Sequence, residues 1–228
     1  MKNITTTNLY HKAILDMTKK LEKLSQAANE SLIGEMRKSK VLKSPQIIKA
    51  FKTVSRIDFV PEDFKDSAYL DVPVPIPEGM TTSQPSTIAF MLELLQARPE
   101  DKILEVGTGS GYLTALLADL VGGQGEVHSV ELLPRLNEFA NNNLRKYRYK
   151  NVMLYIGDGR SGIPEIAPFD KIISGAEVGI IPEEWKRQLK VGGVIITPFD
   201  DHVLKVEKIS EKEYRETEFP NFSFVKML

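Results

Sequence analysis

The stretch Glu105-Val106-Gly107-Thr108-Gly109-Ser110-Gly111 sets a carboxylate and three alternate glycines between a short apolar run, Lys102–Val106, and a helical pattern over Tyr112–Val121. Glycine there lets the backbone turn sharply and come close to a ligand. In open α/β sheets ligands sit outside the carboxyl ends of the strands. The order is G-x-G-x-G: Tyr112 stands where a dinucleotide fingerprint would carry its last glycine, and no Gly-Lys-Ser/Thr follows as in a P-loop. Glu105 would repel a phosphate in this cradle but attract a sulfonium or an α-ammonium group. The residue types therefore favour S-adenosyl-L-methionine over NAD, with Glu105, Gly107, Thr108, Gly109 and Ser110 as the first binding set.

Two further acids fall at strand ends. Glu131, followed by Leu132, lies about 20 residues beyond the glycine turn, the spacing of a carboxylate that grips ribose hydroxyls. Asp158, in Gly157-Asp158-Gly159, closes the next strand and can accept a hydrogen bond from an adenine amino group. Taken singly, Glu131 is as readily a surface acid, Asp158-Gly159 an ordinary turn, and Glu105 an ion-paired or capping residue. Three acids at three successive strand ends, beside the glycine turn, fit one cofactor cleft.

The elements that must position these residues alternate. Strands are expected at 102–106, 126–130, 152–156, 169–174 and 193–197, with helices at 112–121, 134–146 and 183–189 between them. That alternation predicts a Rossmann-like doubly wound α/β fold with a largely parallel sheet. A charged hairpin joining strands at 202–209 and 221–226 is expected to finish the sheet antiparallel. Upstream, helices are expected at 8–29 and 30–39, after Ser44-Pro45, and over 86–97. The proline-rich stretch 56–82 between them predicts irregular chain, and loops of that length are often functional.

Composition narrows the classes. The 228 residues carry 30 basic and 31 acidic side chains, a net charge of −1, and no cysteine. That balance offers no electrostatic footprint for nucleic acid or membrane, and disulfides and thiolate metal sites are excluded. No signal peptide and no apolar run of membrane-spanning length is seen. The expectation is a cytoplasmic monomer without metal. His11, His128 and His202 are scattered, with His128 inside a strand, and Trp185 is expected to pack in the core or at its rim.

The segment Met80-Thr81-Thr82-Ser83-Gln84-Pro85-Ser86-Thr87 resembles the Ser-x-Pro block of the protein-L-isoaspartate O-methyltransferase family. Val54-Ser55-Arg56-Ile57-Asp58-Phe59-Val60-Pro61 and Ala68-Tyr69-Leu70-Asp71 resemble its entry region. Gly157-Asp158-Gly159, Phe169-Asp170-Lys171-Ile172-Ile173, Ile181-Pro182, Gly192-Gly193 and Phe222-Ser223-Phe224-Val225 follow in that family's order. The likeness runs from about residue 31 to the end, leaving 1–30 outside it. It implies an N-terminal helical region over 1–55 and a methyltransferase domain over 56–228, with 56–89 as the substrate segment. The implied reaction is methyl transfer from S-adenosyl-L-methionine to the carboxylate of L-isoaspartyl residues in damaged proteins or peptides. The ester then collapses to a succinimide unaided, a route of protein repair. Ser83 is implied as the catalytic residue, also touching the cofactor, with Gln84, Pro85 and Ala176 on the substrate and Leu132, Gly159 and Ala176 on the cofactor.

A carboxylate with a pKa of about 4 is ionised at neutral pH and needs no general base. Anion and sulfonium cancel as the bond forms, so alignment and exclusion of water suffice. Two departures stand out: Glu177 after Ser174-Gly175-Ala176, and Asp200-Asp201 after the fifth strand. They keep other readings open: the same fold acting on a peptide aspartate or a tRNA adenine, or a cofactor-binding homologue without catalysis.

Overall fold

A computed structural model describes residues 3–222, 224, 226 and 227, with side chains from residue 15 onward. Its centre is a seven-stranded sheet. Five strands are parallel: β3 (Lys102–Val106), β4 (Glu126–Glu131), β5 (Val152–Ile156), β6 (Phe169–Ser174) and β7 (Leu189–Phe199). β8 (His202–Lys208) and β9 (Tyr214–Pro220) complete it antiparallel, in the order β5-β4-β3-β6-β7-β8-β9. The chain therefore departs in opposite directions on either side of β3, and the β3/β6 junction is the switch point where such sheets bind ligands. Helices α4 (Tyr112–Val121), α5 (Pro134–Leu144) and α6 (Glu183–Gln188) follow β3, β4 and β6.

β3 and α4 keep the predicted boundaries to the residue: the buried run Ile103 to Val106 ends where the chain turns at Gly107, and α4 lies between Gly111 and Gly122. Three elements differ by more than two residues. α1 is one helix, Asn3–Lys38, where two were expected: Asn29, at the expected boundary, stays helical and its side chain donates to Phe51 O at 2.9 Å. β7 runs through Gly192-Gly193 and is longer than expected, with its register to β6 shifting between Phe169 and Lys171. The last strand lies at 214–220, pairing Tyr214 with Lys208, where 221–226 was expected. Phe222 instead stacks on Phe90, 4.9 Å between centroids, and Ser223 and Val225 lie outside the described residues.

α2 (Pro45–Thr53) and α3 (Pro85–Leu95) pack against the sheet with the inner part of α1. Leu32, Ile33, Met36, Phe51, Ile88, Leu92, Leu116 and Ile196 belong to one buried cluster. A second cluster on the opposite face holds Trp185, Phe169, Ile172 and Ile195. Trp185 is fully buried there and donates to Gly159 O at 2.8 Å, so it packs in the core and braces the turn after β5. Between α2 and α3 the chain makes short 3-10 turns and a two-residue hairpin, β1 (Val74–Pro75) with β2 (Thr81–Thr82), in place of longer regular structure. Prolines 61, 73, 75 and 77 keep it from doing more.

Candidate active site

At the end of β3 the backbone turns through Gly107, Gly109 and Gly111, with φ of 86°, 55° and 84°. A side chain is strained in that region. A Cβ at Gly111 would also crowd Leu144 and Ala140, at 3.2–3.3 Å. The turn is tied down on both sides. Gly107 N donates to Val130 O at 2.8 Å, Thr108 Oγ1 meets Ser129 Oγ at 2.6 Å, and Ser110 O accepts from Asn143 Nδ2 at 3.0 Å.

Glu105 lies fully buried beneath this turn. Its Oε2 accepts from Thr114 Oγ1 at 2.6 Å, while Oε1 has no hydrogen-bond partner among the described residues. Burial pushes its pKa up to about 8, against smaller opposing hydrogen bonds from Thr114 and Ser129. A buried carboxylate with a free acceptor is an electrostatic seat for a cation.

Glu131, at the end of β4, has a double task. Oε2 accepts from Gly109 N at 2.9 Å and Oε1 from Leu133 N at 3.1 Å, so one side chain joins the glycine turn to the chain leading into α5. Each oxygen retains a lone pair for a ligand hydroxyl. Asp158 ends the next strand, where its carboxylate accepts from Arg160 N at 3.0 Å and Arg160 Nε at 2.9 Å; Arg160 holds its pKa below the usual carboxylate range. Gly159 follows because a Cβ there would meet Val106 Cγ1 at 2.3 Å.

These strand ends frame a cleft of about 700 Å³, part of it open to solvent. Of the predicted cofactor residues, Gly107, Gly109, Glu131, Leu132, Asp158, Gly159 and Ala176 line it, with apolar walls from Ile76, Leu133 and Leu136. A second recess of about 430 Å³ is lined by Ser83, Thr82, Thr108, Ser110, Ile88, Met91 and Leu113. Thr81, Gly107, Gly109 and Gly175 line both, so main chain and small side chains form a shared wall. Glu105 reaches neither lining and acts from below the turn.

Gln84 and Pro85 are not among the lining residues. Gln84 Nε2 donates to Asp71 Oδ2 at 3.1 Å and Ser86 Oγ at 2.9 Å, and Pro85 is the buried first residue of α3. Ala176 is fixed by Ser174, whose Oγ accepts from Ala176 N at 3.2 Å. Glu177 also stands off the linings; its backbone bridges to Lys226, and Met227 N donates to Glu177 O at 2.8 Å. Asp200 and Asp201, with φ of 41° and 58°, form the β7–β8 turn. Neither departure thus places a carboxylate in the two chambers. His128 is held between Tyr155 and Glu126, as suits a structural residue, and among the described residues no acid or histidine cluster could hold a metal.

Five lining residues from outside the strand ends were not foreseen. Ile76, Met80 and Thr81 come from the proline-rich stretch, whose unusual length was the available signal. Lys226 and Met227 come from the chain's return past Glu177, for which the local sequence carries no signal.

The donor set fits S-adenosyl-L-methionine: a buried carboxylate with an open acceptor, a second acid at the ribose position, and backbone turns where side chains at Gly111 and Gly159 would be crowded. A family model described as protein-L-isoaspartate(D-aspartate) O-methyltransferase matches residues 27–227. A Methanopyrus kandleri protein named protein-L-isoaspartate O-methyltransferase is 40% identical over 212 residues, 91% of this chain and 94% of that protein. One of the same name from Ignicoccus hospitalis is 44% identical over 160 residues, 70% and 76% of the two chains. The fold is shared with a Plasmodium falciparum chain described as that enzyme in complex with S-adenosyl-L-homocysteine, with TM-score 0.79 and 22% identity, covering 87% of this chain and 97% of that one.

Proposed function

The chain belongs to the protein-L-isoaspartate(D-aspartate) O-methyltransferase family, and from that premise we propose how its own residues divide the work. It is an S-adenosyl-L-methionine-dependent carboxyl O-methyltransferase, acting on L-isoaspartyl residues. The observation that carries the division of labour is the shared wall: the Ser83 recess meets the acid-lined cleft across Gly107, Gly109 and Gly175.

In this reading Glu131 and Asp158 orient a nucleoside between the apolar walls, with Leu132, Gly159 and Ala176 beside it. Glu105, with Gly107, Thr108, Gly109 and Ser110, sets the negative potential and the close backbone approach at the other end. S-adenosyl-L-methionine, when bound, supplies an activated methyl group on a cationic sulfur. Ser83 Oγ holds one oxygen of the acceptor carboxylate and leaves the other free to attack, with Gln84 and Pro85 shaping the segment and Ala176 the facing side. No proton has to be removed, because the acceptor is already ionised. The chain's contribution is alignment and exclusion of water. We assign residues 56–89 to the substrate side.

The finer readings rest on composition. A net charge of −1 supplies no field for nucleic acid, and a chain without cysteine suits the reducing cytoplasm. Among the described residues no helix is long and apolar enough to cross a membrane.

The test is transfer of labelled methyl to a matched peptide pair, one isoaspartyl and one aspartyl. Base-labile label on the isoaspartyl peptide alone is expected. Label on the aspartyl peptide, or on neither, would overturn the acceptor assignment.

A further inference from the structure

Arg56 is fully buried, an unusual place for a guanidinium. Its Nη1 donates to Ala68 O at 2.9 Å and Leu70 O at 3.3 Å; its Nη2 donates to Val72 O at 3.0 Å and Ser83 O at 3.1 Å. One fork thus ties the carbonyl of Ser83 to the 68–72 segment. The guanidinium also lies 6.0 Å from the ring centroid of Tyr112, the first residue of α4 after the glycine turn.

The segment it holds returns to Ser83 by a second route. Asp71, between the held carbonyls of Leu70 and Val72, accepts from Ser86 N at 2.8 Å and from Gln84 Nε2 at 3.1 Å. Ser83 is therefore gripped at its own carbonyl and again just downstream, with Arg56 behind both grips. An apolar side chain of similar volume would fill the space at lower desolvation cost, but it could not fix four carbonyls on two stretches of chain. Lysine is a point donor and cannot present the fork.

We propose that Arg56 is a positioning residue for methyl transfer, setting where Ser83 Oγ stands relative to the Gly107–Gly109 turn without touching substrate. This rests on the carboxylate-holding role of Ser83. The consequence is a split between turnover and binding. Arg56→Ala should lower kcat about 100-fold, the scale expected when a reacting geometry is displaced by about an ångström. The affinity for S-adenosyl-L-homocysteine, measured by calorimetry, should stay within about twofold, because Glu131 and Asp158 line a cleft that Ser83 does not and are not among Arg56's partners.

The experiment is a double-mutant cycle. Ser83→Ala, Arg56→Ala and the double variant are assayed on an isoaspartyl peptide, with free guanidinium added to the Arg56 variants and Arg56→Lys run in parallel. Expected are a large loss from Arg56→Ala in the unaltered background, partial restoration by guanidinium, weak rescue by lysine, and no further loss when Ser83 is already alanine. Equal losses in both backgrounds, or loss of S-adenosyl-L-homocysteine affinity matching the loss of kcat, would overturn the proposal. So would failure of both Arg56 variants to fold, which would assign the residue to the fold alone. Failure of the family function is distinguishable, since the unaltered protein would then leave the isoaspartyl peptide unlabelled.

Discussion

Glu105 shows how one residue can be read correctly as a type and still hold a property that sequence does not carry. Its acidity was visible beside the glycines; its depth was not, because burial depends on Thr114 and Ser129 arriving from other elements. The raised pKa sets a pH dependence. Between the ordinary 4.5 and about 8 the folded chain holds a proton that the unfolded chain has lost. Folding stability from this group is therefore present at low pH and is lost as pH rises through about 8. The ligand-free protein should lose melting temperature from pH 5 to 8 relative to Glu105→Gln, which has no such proton. A cation bound above the turn favours the ionised form, so affinity for S-adenosyl-L-methionine should rise about tenfold or more over the same window and stay flat in Glu105→Gln. Parallel pH curves for the two proteins would refute this linkage.

At the level of elements, the sequence was most informative where a pattern is enforced locally. β3, β5, β6 and α4 fall at their expected bounds because apolar-rich runs, buried in β3 and α4 and only half-buried in β5, end at glycines, prolines or polar residues. The closing strand was misplaced because Phe222 and Phe224 carry strand-like chemistry, whereas β9 itself reads as polar: Arg215, Glu216, Thr217 and Glu218 are exposed on the sheet's edge. Such charges protect an edge from pairing further, and they hide the strand from a hydrophobic pattern. Glu131 and Asp158 could be picked out by their places at strand ends, and Ser83 by the family resemblance of its Ser-x-Pro block. Arg56's four bonds could not, since they join segments up to 27 residues apart. The junction of β3 with the β5 turn is the least tolerant of these contacts. Gly159→Ala should push Val106 aside and cost about 1–3 kcal/mol, seen as roughly 3–10 °C of melting temperature at this chain length, with weaker cofactor binding. An unchanged melt would show that the turn can shift freely.

Over the whole molecule, stability and site lie in the same body while the outer part of α1 stands apart from both. Leu15, Met17, Leu21 and Leu24 are each more than half exposed, whereas Leu32, Ile33 and Met36 are in the core. Removing residues 1–20 should leave stability within about 0.5 kcal/mol, as for other surface changes, and leave turnover intact. A larger loss in thermal melting or in the peptide assay would show that this arm supports the fold.

The turn after β5 also bears on how the molecule ages. Asp158-Gly159 is the single place in the sequence where an aspartate or asparagine precedes glycine. At such a step the glycine nitrogen meets no side chain as it attacks the aspartyl carboxyl; water leaves, a succinimide forms, and its reopening yields isoaspartate. The enzyme thus carries, in the wall of its own cleft, the kind of bond whose decay it corrects. That decay begins from the protonated acid, and Arg160 keeps Asp158 ionised and held by hydrogen bonds from its backbone N and its Nε. Arg160→Ala, stored warm at mildly acid pH, should accumulate isoaspartate at residue 158 faster than the unaltered chain by peptide mapping; equal rates would mean the clamp gives no protection. Arg160 would then set the working lifetime of an enzyme that lengthens the lifetimes of others.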